Sequence, residues 1–274
     1  MMRIEHALSI RADTRRPIRV LVIGAGGTGS AITMGLPYLD QALRVWGRFA
    51  GLDVLLMDAD TVSETNCIRQ PFSVSDIGQN KSTVLVNRIN HFWGMHWRAE
   101  PRDFDERTFE RIKDTSIDFL IGCVDSRAAR NTIARSLVKS NNRTAYWLDL
   151  GNNAASGQFV LGQPWNARNR RSTERLRTVN ELYPEIADVK AGEDPLPSCS
   201  AVEALERQEP FINQTLAASA LTMLARLLRY GKIEHHGGFF NAATGKVTAV
   251  PVDPELWRKT RLRNRKMQAK PPTR

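Results

Sequence analysis

VLVIGAGGTGSA, residues 20–31, is a run of four apolar residues that leads directly into four closely spaced glycines. An apolar run before such a turn is typical of a buried strand, and helix-forming residues follow it. A strand, a glycine turn and a helix start place backbone N–H groups around a phosphate. The stretch therefore predicts the first unit of a nucleotide-binding α/β domain. It does not distinguish a dinucleotide cofactor from ATP.

The rest of the chain continues the alternation of strands and helices. Unbroken apolar runs are typical of parallel strands that are buried on both faces. The predicted parallel strands are residues 19–23, 52–60, 117–125 and 145–151; the helices begin near residues 28, 80, 108 and 126. An antiparallel strand at 157–162, a helix from Pro210 to Gly231 and a hairpin at 238–252 follow. We expect an α/β, Rossmann-like fold with a mainly parallel sheet, helices on both faces and antiparallel strands in the C-terminal half.

Composition divides the chain into three parts. Residues 1–18 form an N-terminal segment, 19–256 a single domain, and 257–274 a basic tail. Within the domain we distinguish a nucleotide-binding half at 19–150, a crossover loop at 163–200, and a C-terminal helix and hairpin at 201–256. The crossover is rich in polar residues and Pro, with little periodicity, and we expect it to be flexible and functional.

The formal net charge of +10 is concentrated in the tail. Eight of the 39 Lys and Arg residues lie between Arg258 and Arg274, where there is no acid, so the remaining 31 face 29 acidic residues. The tail has no apolar period, and we expect it to be disordered. It is either a solubilising extension or a docking arm for an acidic partner or nucleic acid, and the sequence leaves both open.

Several classes of protein are excluded or disfavoured. No apolar stretch approaches the roughly 18 to 20 residues of a membrane span, and the N-terminus lacks the apolar core of a secretory signal. We therefore expect a cytoplasmic protein without a membrane partner. The three cysteines, Cys67, Cys123 and Cys199, form no Cys-x-x-Cys pair, which excludes a four-cysteine structural zinc site.

Polar residues after the second strand favour ATP over a dinucleotide. In DADTVSETNCIRQPFSVSDIGQNK, residues 58–81, Asp58 ends the strand and can accept hydrogen bonds from ribose hydroxyls in either class of enzyme. A dinucleotide's diphosphate is held mainly by backbone N–H groups, whereas a reaction at a triphosphate needs cations to neutralise developing charge. Arg69 and Lys81 supply those cations, with Asn66 and Gln70 beside them in sequence.

A second acidic residue ends the strand at 117–125. Asp125, in VDSRAAR, suits a Mg²⁺ ion that keeps most of its waters and meets substrate phosphates. Arg130 follows one helical turn later. The alternative is that Asp125 only caps the next helix.

These motifs together resemble those of the ThiF/MoeB/HesA family, adenylyltransferases related to ubiquitin-activating enzymes. The matching motifs are GAGGTG, the D-x-D of Asp58 and Asp60, N-x-x-R-Q at 66–70, D-I-G-x-x-K at 76–81 and D-x-x-x-x-R at 125–130. The length and the SCS and QEPFINQT stretches are most similar to the ThiF-family members of bacterial PRTRC cassettes. The resemblance implies ATP-dependent adenylation of the C-terminal carboxylate of a ubiquitin-like protein with a glycine tail, release of pyrophosphate, and a homodimer.

The resemblance also implies a role for each matching residue. Gly24, Gly26, Gly27 and Gly29 form the phosphate turn, and Asp58, followed by Asp60, binds the ribose. Asn66, Arg69 and Lys81 hold the triphosphate, with Gln70 and Arg130 as further nucleotide-binding residues and Asp125 as the Mg²⁺ ligand. We expect no general base, because a carboxylate substrate is already ionised at neutral pH.

The chain departs from the family in two respects. The family's N-terminal R-Y-x-R-Q motif has no match, although Arg11, Arg15 and Arg16 precede the first strand, so whether an arginine acts across a dimer stays open. The family's zinc-binding cysteine pairs are also missing.

Cys199 is the remaining candidate for chemistry. It lies in PSCS, before a predicted helix start that would lower the pKa of its thiol. It either accepts the acyl group as a thioester, for transfer to a conjugating-type acceptor, or is inert. Two rival functions remain: an idle scaffold that binds a ubiquitin-like or partition protein, and an NAD-dependent oxidoreductase, which would leave Arg69, Lys81 and Asp125 without a task.

Overall fold

Ten strands and seven α-helices account for most of the computed structural model, which describes residues 4–112, 116–139, 141–172, 174–188 and 209–259. The strands are β1 (His6–Ala7), β2 (Ile18–Ile23), β3 (Leu52–Met57), β4 (Arg98–Glu100), β5 (Phe119–Gly122), β6 (Tyr146–Asn152), β7 (Ser156–Gly162), β8 (Lys232–Ile233), β9 (His235–Asn241) and β10 (Lys246–Pro251). The helices are α1 (Gly27–Trp46), α2 (Asn66–Arg69), α3 (Lys81–Trp93), α4 (Glu106–Ile112), α5 (Arg127–Leu137), α6 (Val179–Leu182) and α7 (Ile212–Tyr230). Short 3₁₀ turns lie at Val74–Asp76 and Pro184–Ala187.

Eight of the strands form one sheet in the order β10-β9-β7-β6-β5-β2-β3-β4. The five strands from β6 to β4 are parallel, while β7, β9 and β10 are antiparallel to their neighbours. The predicted fold class is confirmed. The chain places β3 and β4 on one side of β2 and β5 and β6 on the other. The connections from β2 and β5 therefore diverge, and a crevice opens at their carboxyl ends.

Helices cover both faces of this sheet. Right-handed crossovers place α1 and α3 on one face and α4 and α5 on the other. Helix α7 packs beside α1, and a Cβ at Gly35 would lie 2.4 Å from Leu221 Cδ1, so the two helices approach closely. The inward side of α7, including Leu216, Ala220 and Leu224, is buried, and Gly231 ends the helix in the left-handed conformation at φ 74°. The predicted burial and stop of this helix are confirmed.

The crossover is more ordered than its composition indicates. Residues 163–188 contain α6 and fold against the sheet, with Leu176 and Val179 fully buried. Arg175 donates to both carboxylate oxygens of Glu181, at 2.8 and 2.5 Å. Local polar pairs of this kind carry no apolar period, which is why the sequence pattern misses them. The remaining predicted loop, 189–200, lies outside the described residues.

Three further features differ from the sequence-based expectation. The small antiparallel pair β1 and β8 and the edge strand β4 are too short to give a periodic signal. Residues 254–259 are helical, and the ring of Trp257 packs edge-on against His236, so the first residues of the predicted tail belong to the fold. Residues 260–274 lie outside the described residues. Among the helices that the structure describes, none has the length and apolar character needed to span a membrane.

His236 is a fully buried titratable residue in β9. Its Nδ1 lies 2.6 Å from the carbonyl oxygen of Leu161 and must donate the hydrogen bond, because a carbonyl only accepts. Burial lowers the pKa of His236 to about 4, so the ring is neutral in the folded protein at pH 5, whereas in an unfolded chain it is largely protonated.

We predict that His236→Asn reduces the pH dependence of stability. Between pH 7 and pH 5 the unfolded state binds more protons at His236 than the folded state does, because the pKa in the folded state is about 4. Lowering the pH over this range therefore lowers the free energy of unfolding by about 2 kcal/mol through this residue. Asparagine keeps a donor for Leu161 without titrating. Denaturant titrations at pH 7 and pH 5 measure the free energy of unfolding at each pH. Its decrease from pH 7 to pH 5 should be smaller in His236→Asn than in the wild type, by about that amount. The exposed His96→Asn should behave as the wild type; an unchanged loss in His236→Asn would contradict the assignment.

Candidate functional site

Two glycines allow the sharp turn between β2 and α1. Gly24 has φ +93°, and a Cβ there would lie 2.6 Å from the carbonyl oxygen of Cys123 at the end of β5. A Cβ at Gly29 would lie 1.9 Å from the carbonyl oxygen of Gly24. Both distances are far below van der Waals contact, so no larger residue fits this turn. The turn thereby brings the start of α1 against the ends of β2 and β5.

The other two glycines have different surroundings. Gly26 is the N-cap of α1, and a Cβ there would meet no described atom within 4 Å, so this part of the backbone is accessible. A Cβ at Gly27 would lie 2.5 Å from Asn213 Nδ2 at the start of α7. The first turn of a helix presents unpaired N–H groups and a positive dipole end, which favour an anion. The accessible backbone at Gly26 is therefore suited to a phosphate group.

Asp58 holds the glycine turn through hydrogen bonds to backbone N–H groups. Its Oδ2 accepts from the backbone N–H of Ala25 at 2.5 Å and its Oδ1 from that of Asp60 at 2.8 Å. Burial raises the pKa of Asp58, and these hydrogen bonds offset part of that effect. A carboxylate oxygen accepts more than one hydrogen bond, so the two contacts orient Asp58 and leave capacity for a ribose hydroxyl.

Lys81 lies beside this group at the first residue of α3. Its buried Nζ is 2.9 Å from Asp60 Oδ2, on a carboxylate that is 71% exposed. Asp60 in turn is joined through its backbone to Asp58, and Asp58 to Ala25. A continuous chain of contacts thus connects the Lys81 ammonium to the glycine turn.

Asn80, which sequence reasoning missed, holds these segments together. Its Oδ1 accepts from Thr83 N at 3.0 Å as the N-cap of α3, and its Nδ2 donates to the carbonyls of Asp58 and Asp60 at 2.8 and 3.1 Å. Asparagine directly before a helix start is a capping signal, and this signal could have identified the residue. Asn80 thereby fixes the position of Lys81 relative to Asp58, together with the hydrogen bond from Lys81 N to the carbonyl of Asp60 at 2.9 Å.

Three further predicted residues lie in the connection between β3 and α3: Asn66 and Arg69 on α2, and Gln70 as its C-cap. Asn66 Oδ1 accepts from Ser63 N at 2.9 Å, and burial lowers the pKa of Arg69. Gln70 Oε1 is buried without a hydrogen-bond partner within the described parts of the chain. The connection therefore carries polar side chains that are half-buried next to the chain segment holding Asp58.

The loop that follows α2 is braced by Asp76, the acid of the D-I-G-x-x-K motif. Asp76 Oδ2 accepts from Ser73 N and from Arg88 Nη2, both at 2.7 Å. Arg88 also donates to the carbonyl of Pro71. This acid is a structural residue, which explains its place in the motif.

Asp125 is exposed at the carboxyl end of β5, beside β2. The alternative that Asp125 caps the next helix is wrong, because Ser126 is the N-cap of α5 and its side chain accepts from Ala129 N at 3.1 Å. Among the described residues, no group of three or more His, Cys, Asp or Glu side chains could bind a metal ion. A single carboxylate that shares Mg²⁺ with water and phosphate oxygens fits this arrangement.

Arg130, predicted to contact the nucleotide, instead donates to three parts of the protein. Its Nε lies 2.9 Å from Asp149 Oδ1, its Nη2 2.7 Å from the carbonyl of Val124, and its Nη1 3.4 Å from the carbonyl of Ile186. Both members of the Arg130–Asp149 pair are buried. Sequence reasoning missed Asp149, because an acid inside an apolar strand gives no indication of its partner.

A polar cluster at the start of α1 was also missed. Thr28 Oγ1 lies 2.9 Å from Asn152 Oδ1 and 2.9 Å from Asn213 Oδ1, so the first turn of α1 is joined to the ends of β6 and the start of α7. Thr28 and Asn213 are buried. These contacts fix the helix whose N-terminus forms the phosphate turn.

The arginines before β2 lie elsewhere. Arg16 Nη2 is 2.7 Å from Asp118 Oδ2. Asp118 lies at the amino end of β5, whereas the glycine turn lies at the carboxyl ends of the strands. Arg15 is exposed and lies 3.6 Å from Asp13. Arg11 is exposed as well. Within its own subunit, Arg16 stabilises the fold and does not reach the candidate site.

The structure describes the surroundings of two of the three cysteines. Cys199 lies outside the described residues, so its predicted role stays a prediction. Cys123 packs beside Gly24 and Gly29, and burial raises the pKa of its thiol. Cys67 Sγ lies 3.7 Å from the carbonyl of Ser63.

Comparison with known proteins identifies a family and a fold. The sequence model of the ThiF family matches residues 11–250. The structure of E. coli MccB with ATP aligns with a TM-score of 0.55 at 15% identity, over 86% of this chain and 64% of that chain. MccB with MccA-N7isoASN gives a TM-score of 0.56 at 16% identity, and PaaA 0.56 at 14% identity, each over 86% of this chain and 64% of the other.

The structural neighbours have low sequence identity to this chain and are longer than it. At identities of 14 to 16% the structural neighbours share the fold with this chain. The chain spans less than two thirds of the length of each of them. A search of the curated proteins found no match.

We predict that alanine destabilises the protein much more at Gly29 than at Gly26. Gly29→Ala places a methyl group 1.9 Å from a backbone oxygen and should lower the free energy of unfolding by about 3 kcal/mol, because backbone must move. Gly26→Ala meets no described atom and should cost less than about 1 kcal/mol as a change of N-cap residue. Urea titrations of both variants measure the difference. Equal costs would contradict the turn geometry.

Proposed function

The chain belongs to the ThiF family, and we propose that it is an ATP-dependent adenylyltransferase that activates the C-terminal carboxylate of a ubiquitin-like protein. The observation that carries this proposal is the chain of contacts from Lys81 through Asp60 and Asp58 to Ala25. It links a buried ammonium group to the turn that leads into an accessible helix N-terminus. A reaction between two anions needs this combination of fixed cation and backbone N–H groups.

Each part of ATP has a corresponding element in the crevice. The N–H groups of the turn at Gly24–Gly29 would hold phosphate oxygens, and Asp58 would accept from the ribose. Arg69 and Lys81 would contact the triphosphate, with Asn66 and Gln70 supplying amide groups. Mg²⁺, when bound at Asp125, would neutralise phosphate charge. The similar protein MccB is known in structures with ATP and with MccA-N7isoASN, which supports a nucleotide and a second substrate here.

The chemical step that we propose is a displacement at the α-phosphorus. An oxygen of the substrate carboxylate forms a bond to this phosphorus, and the bond from phosphorus to the oxygen bridging the β-phosphate breaks. The electron pair of that bond leaves with pyrophosphate. No proton is transferred, since the nucleophile is already ionised. Arg69 and Lys81 reduce the repulsion between the two anions, which is costly in a site drier than water.

The Lys81–Asp60 pair has a consequence for nucleotide binding. Asp60 is 71% exposed, while the Lys81 side chain is only 9% exposed. An exposed carboxylate is well solvated and is a weak partner, so a triphosphate can take its place at little cost. Asp60 therefore keeps a buried cation neutralised and oriented until ATP arrives.

The identity of the partner rests on the sequence resemblance. The length and the SCS and QEPFINQT stretches resemble those of PRTRC-cassette members. We propose a glycine-tailed ubiquitin-like protein as acyl donor, a homodimer in the cytoplasm, and Cys199 as the thioester site. The basic tail would serve as a docking arm for an acidic partner or nucleic acid. A conjugating-type acceptor would then receive the acyl group.

We predict ATP–pyrophosphate exchange that requires the cognate ubiquitin-like protein. Asp125→Ala should reduce exchange by about a hundredfold or more. Without this carboxylate the Mg²⁺ ion is not held, and the charge on the phosphates is no longer neutralised. Asp103→Ala removes an exposed carboxylate from the loop before α4 and should have no effect. If a partner that demonstrably binds gives only background exchange, the protein is a scaffold and the enzyme hypothesis is wrong.

We predict a thioester between the partner's C-terminus and Cys199. Mass spectrometry after incubation with ATP and partner should detect an adduct that thiol reductant removes. Cys199→Ser should abolish this adduct and retain exchange, since adenylation precedes transfer. Cys67→Ser, which changes another free cysteine, should retain both. An adduct that survives Cys199→Ser would exclude the assigned role.

A further inference from the structure

One buried ion pair lies directly behind the candidate metal ligand. The side chains of Arg130 and Asp149 are 6% and 0% exposed, and their Nε and Oδ1 atoms are 2.9 Å apart. Burial raises the pKa of Asp149, and the guanidinium of Arg130 offsets part of that effect. Burying two charges costs several kcal/mol per ion before the pair recovers it, so an apolar pair of similar volume would stabilise the fold as well or better. The pair therefore calls for an explanation other than stability.

The geometry of the guanidinium supplies that explanation. Arg130 Nη2 donates at 2.7 Å to the carbonyl of Val124, the residue before Asp125. Strand β5 ends at Gly122, and the next residue, Cys123, still donates from its backbone N–H to the carbonyl of Ile23 in β2 at 2.8 Å. The contact from Arg130 therefore holds the loop one residue further on, at Val124. Asp149 fixes the guanidinium from the adjacent strand β6, and Arg130 fixes the loop. The planar fork of arginine makes both contacts at once, which an ammonium group cannot do.

The same side chain reaches the crossover. Arg130 Nη1 lies 3.4 Å from the carbonyl of Ile186, in the 3₁₀ turn at Pro184–Ala187. A Cβ at Gly151 would lie 2.9 Å from Arg130 Nη2, so this glycine, two residues after Asp149, leaves room for the guanidinium. The loop after β5, strand β6 and the 3₁₀ turn of the crossover thus converge on one guanidinium group.

We propose that Arg130, oriented by Asp149, is a positioning residue that sets the place of Asp125 for Mg²⁺ and ties this loop to the crossover. The inference rests on the proposed function in one respect, namely that Asp125 binds the Mg²⁺ of Mg·ATP. Arg130 does not touch the nucleotide. Its effect is on how much the metal contributes to nucleotide binding.

The measurement is the affinity for ATP by titration calorimetry, in excess Mg²⁺ and in EDTA. The wild type should bind ATP about 10-fold or more tightly with Mg²⁺. In Arg130→Lys this gain should fall to about 3-fold or less, while the affinity in EDTA stays within about 2-fold, because the turn and Lys81 are unchanged. Arg175→Lys is the matched control: it alters another buried, ion-paired arginine, 2% exposed and 2.5 Å from Glu181, away from the Asp125 loop, and should keep the full gain.

A second variant covers the case in which Arg130→Lys does not fold. The double change Arg130→Gln with Asp149→Asn replaces the buried pair by two neutral amides, so no unpaired charge is left inside. It should show the same loss of the Mg²⁺ gain. A full gain in a folded variant would overturn the inference, as would a wild type that gains nothing from Mg²⁺. Failure of the proposed function is distinguishable, because exchange could be absent with a ubiquitin-like partner while ATP binding still shows the Mg²⁺ gain and its loss.

Discussion

The steric limit at the β2–α1 turn is the constraint on which the rest of the site depends. Gly24 lies against the end of β5 and Gly29 against Gly24, and neither position has room for a Cβ. Because the turn is this tight, the first N–H groups of α1 lie at the point where the connections from β2 and β5 diverge. A looser turn would move the helix N-terminus away from Asp58 and Lys81. The polar side chains and the N–H groups of the helix would then no longer face the same ligand.

Around that turn, each of the three cations Lys81, Arg88 and Arg130 is paired with a carboxylate. Lys81 is paired with exposed Asp60, Arg88 with Asp76, and Arg130 with buried Asp149. The three pairs differ in exposure, and this difference separates their roles. An exposed partner is readily replaced by phosphate, whereas a buried partner is kept, since leaving one charge alone inside the protein is costly. Lys81 is therefore suited to the ligand, and Arg88 and Arg130 to the fold around it.

Much of the site is supported by residues that touch no predicted ligand. Asn80 joins α3 to the segment with Asp58, and Thr28 joins α1 to Asn152 and Asn213. Such contacts explain how a site assembled from loops keeps its geometry, since each loop is bonded to a neighbouring helix or strand. They also explain why an exposed Asp125 can be well placed: the loop that carries it is held from behind by Arg130.

The sequence by itself determined the main strands and helices and the glycine turn, because these depend on local periodicity and on spacing along one chain. It missed the short elements β1, β4, β8 and α6, which have no periodic signal. It also placed Asp58, Lys81 and Asp125 at strand and helix ends that face one edge. Only the tertiary structure decided which polar groups meet. Arg130 finds Asp149 19 positions away, and Thr28 finds Asn152 and Asn213 across 124 and 185 positions. Such pairs depend on how distant elements pack, and the pattern within each element does not carry that information.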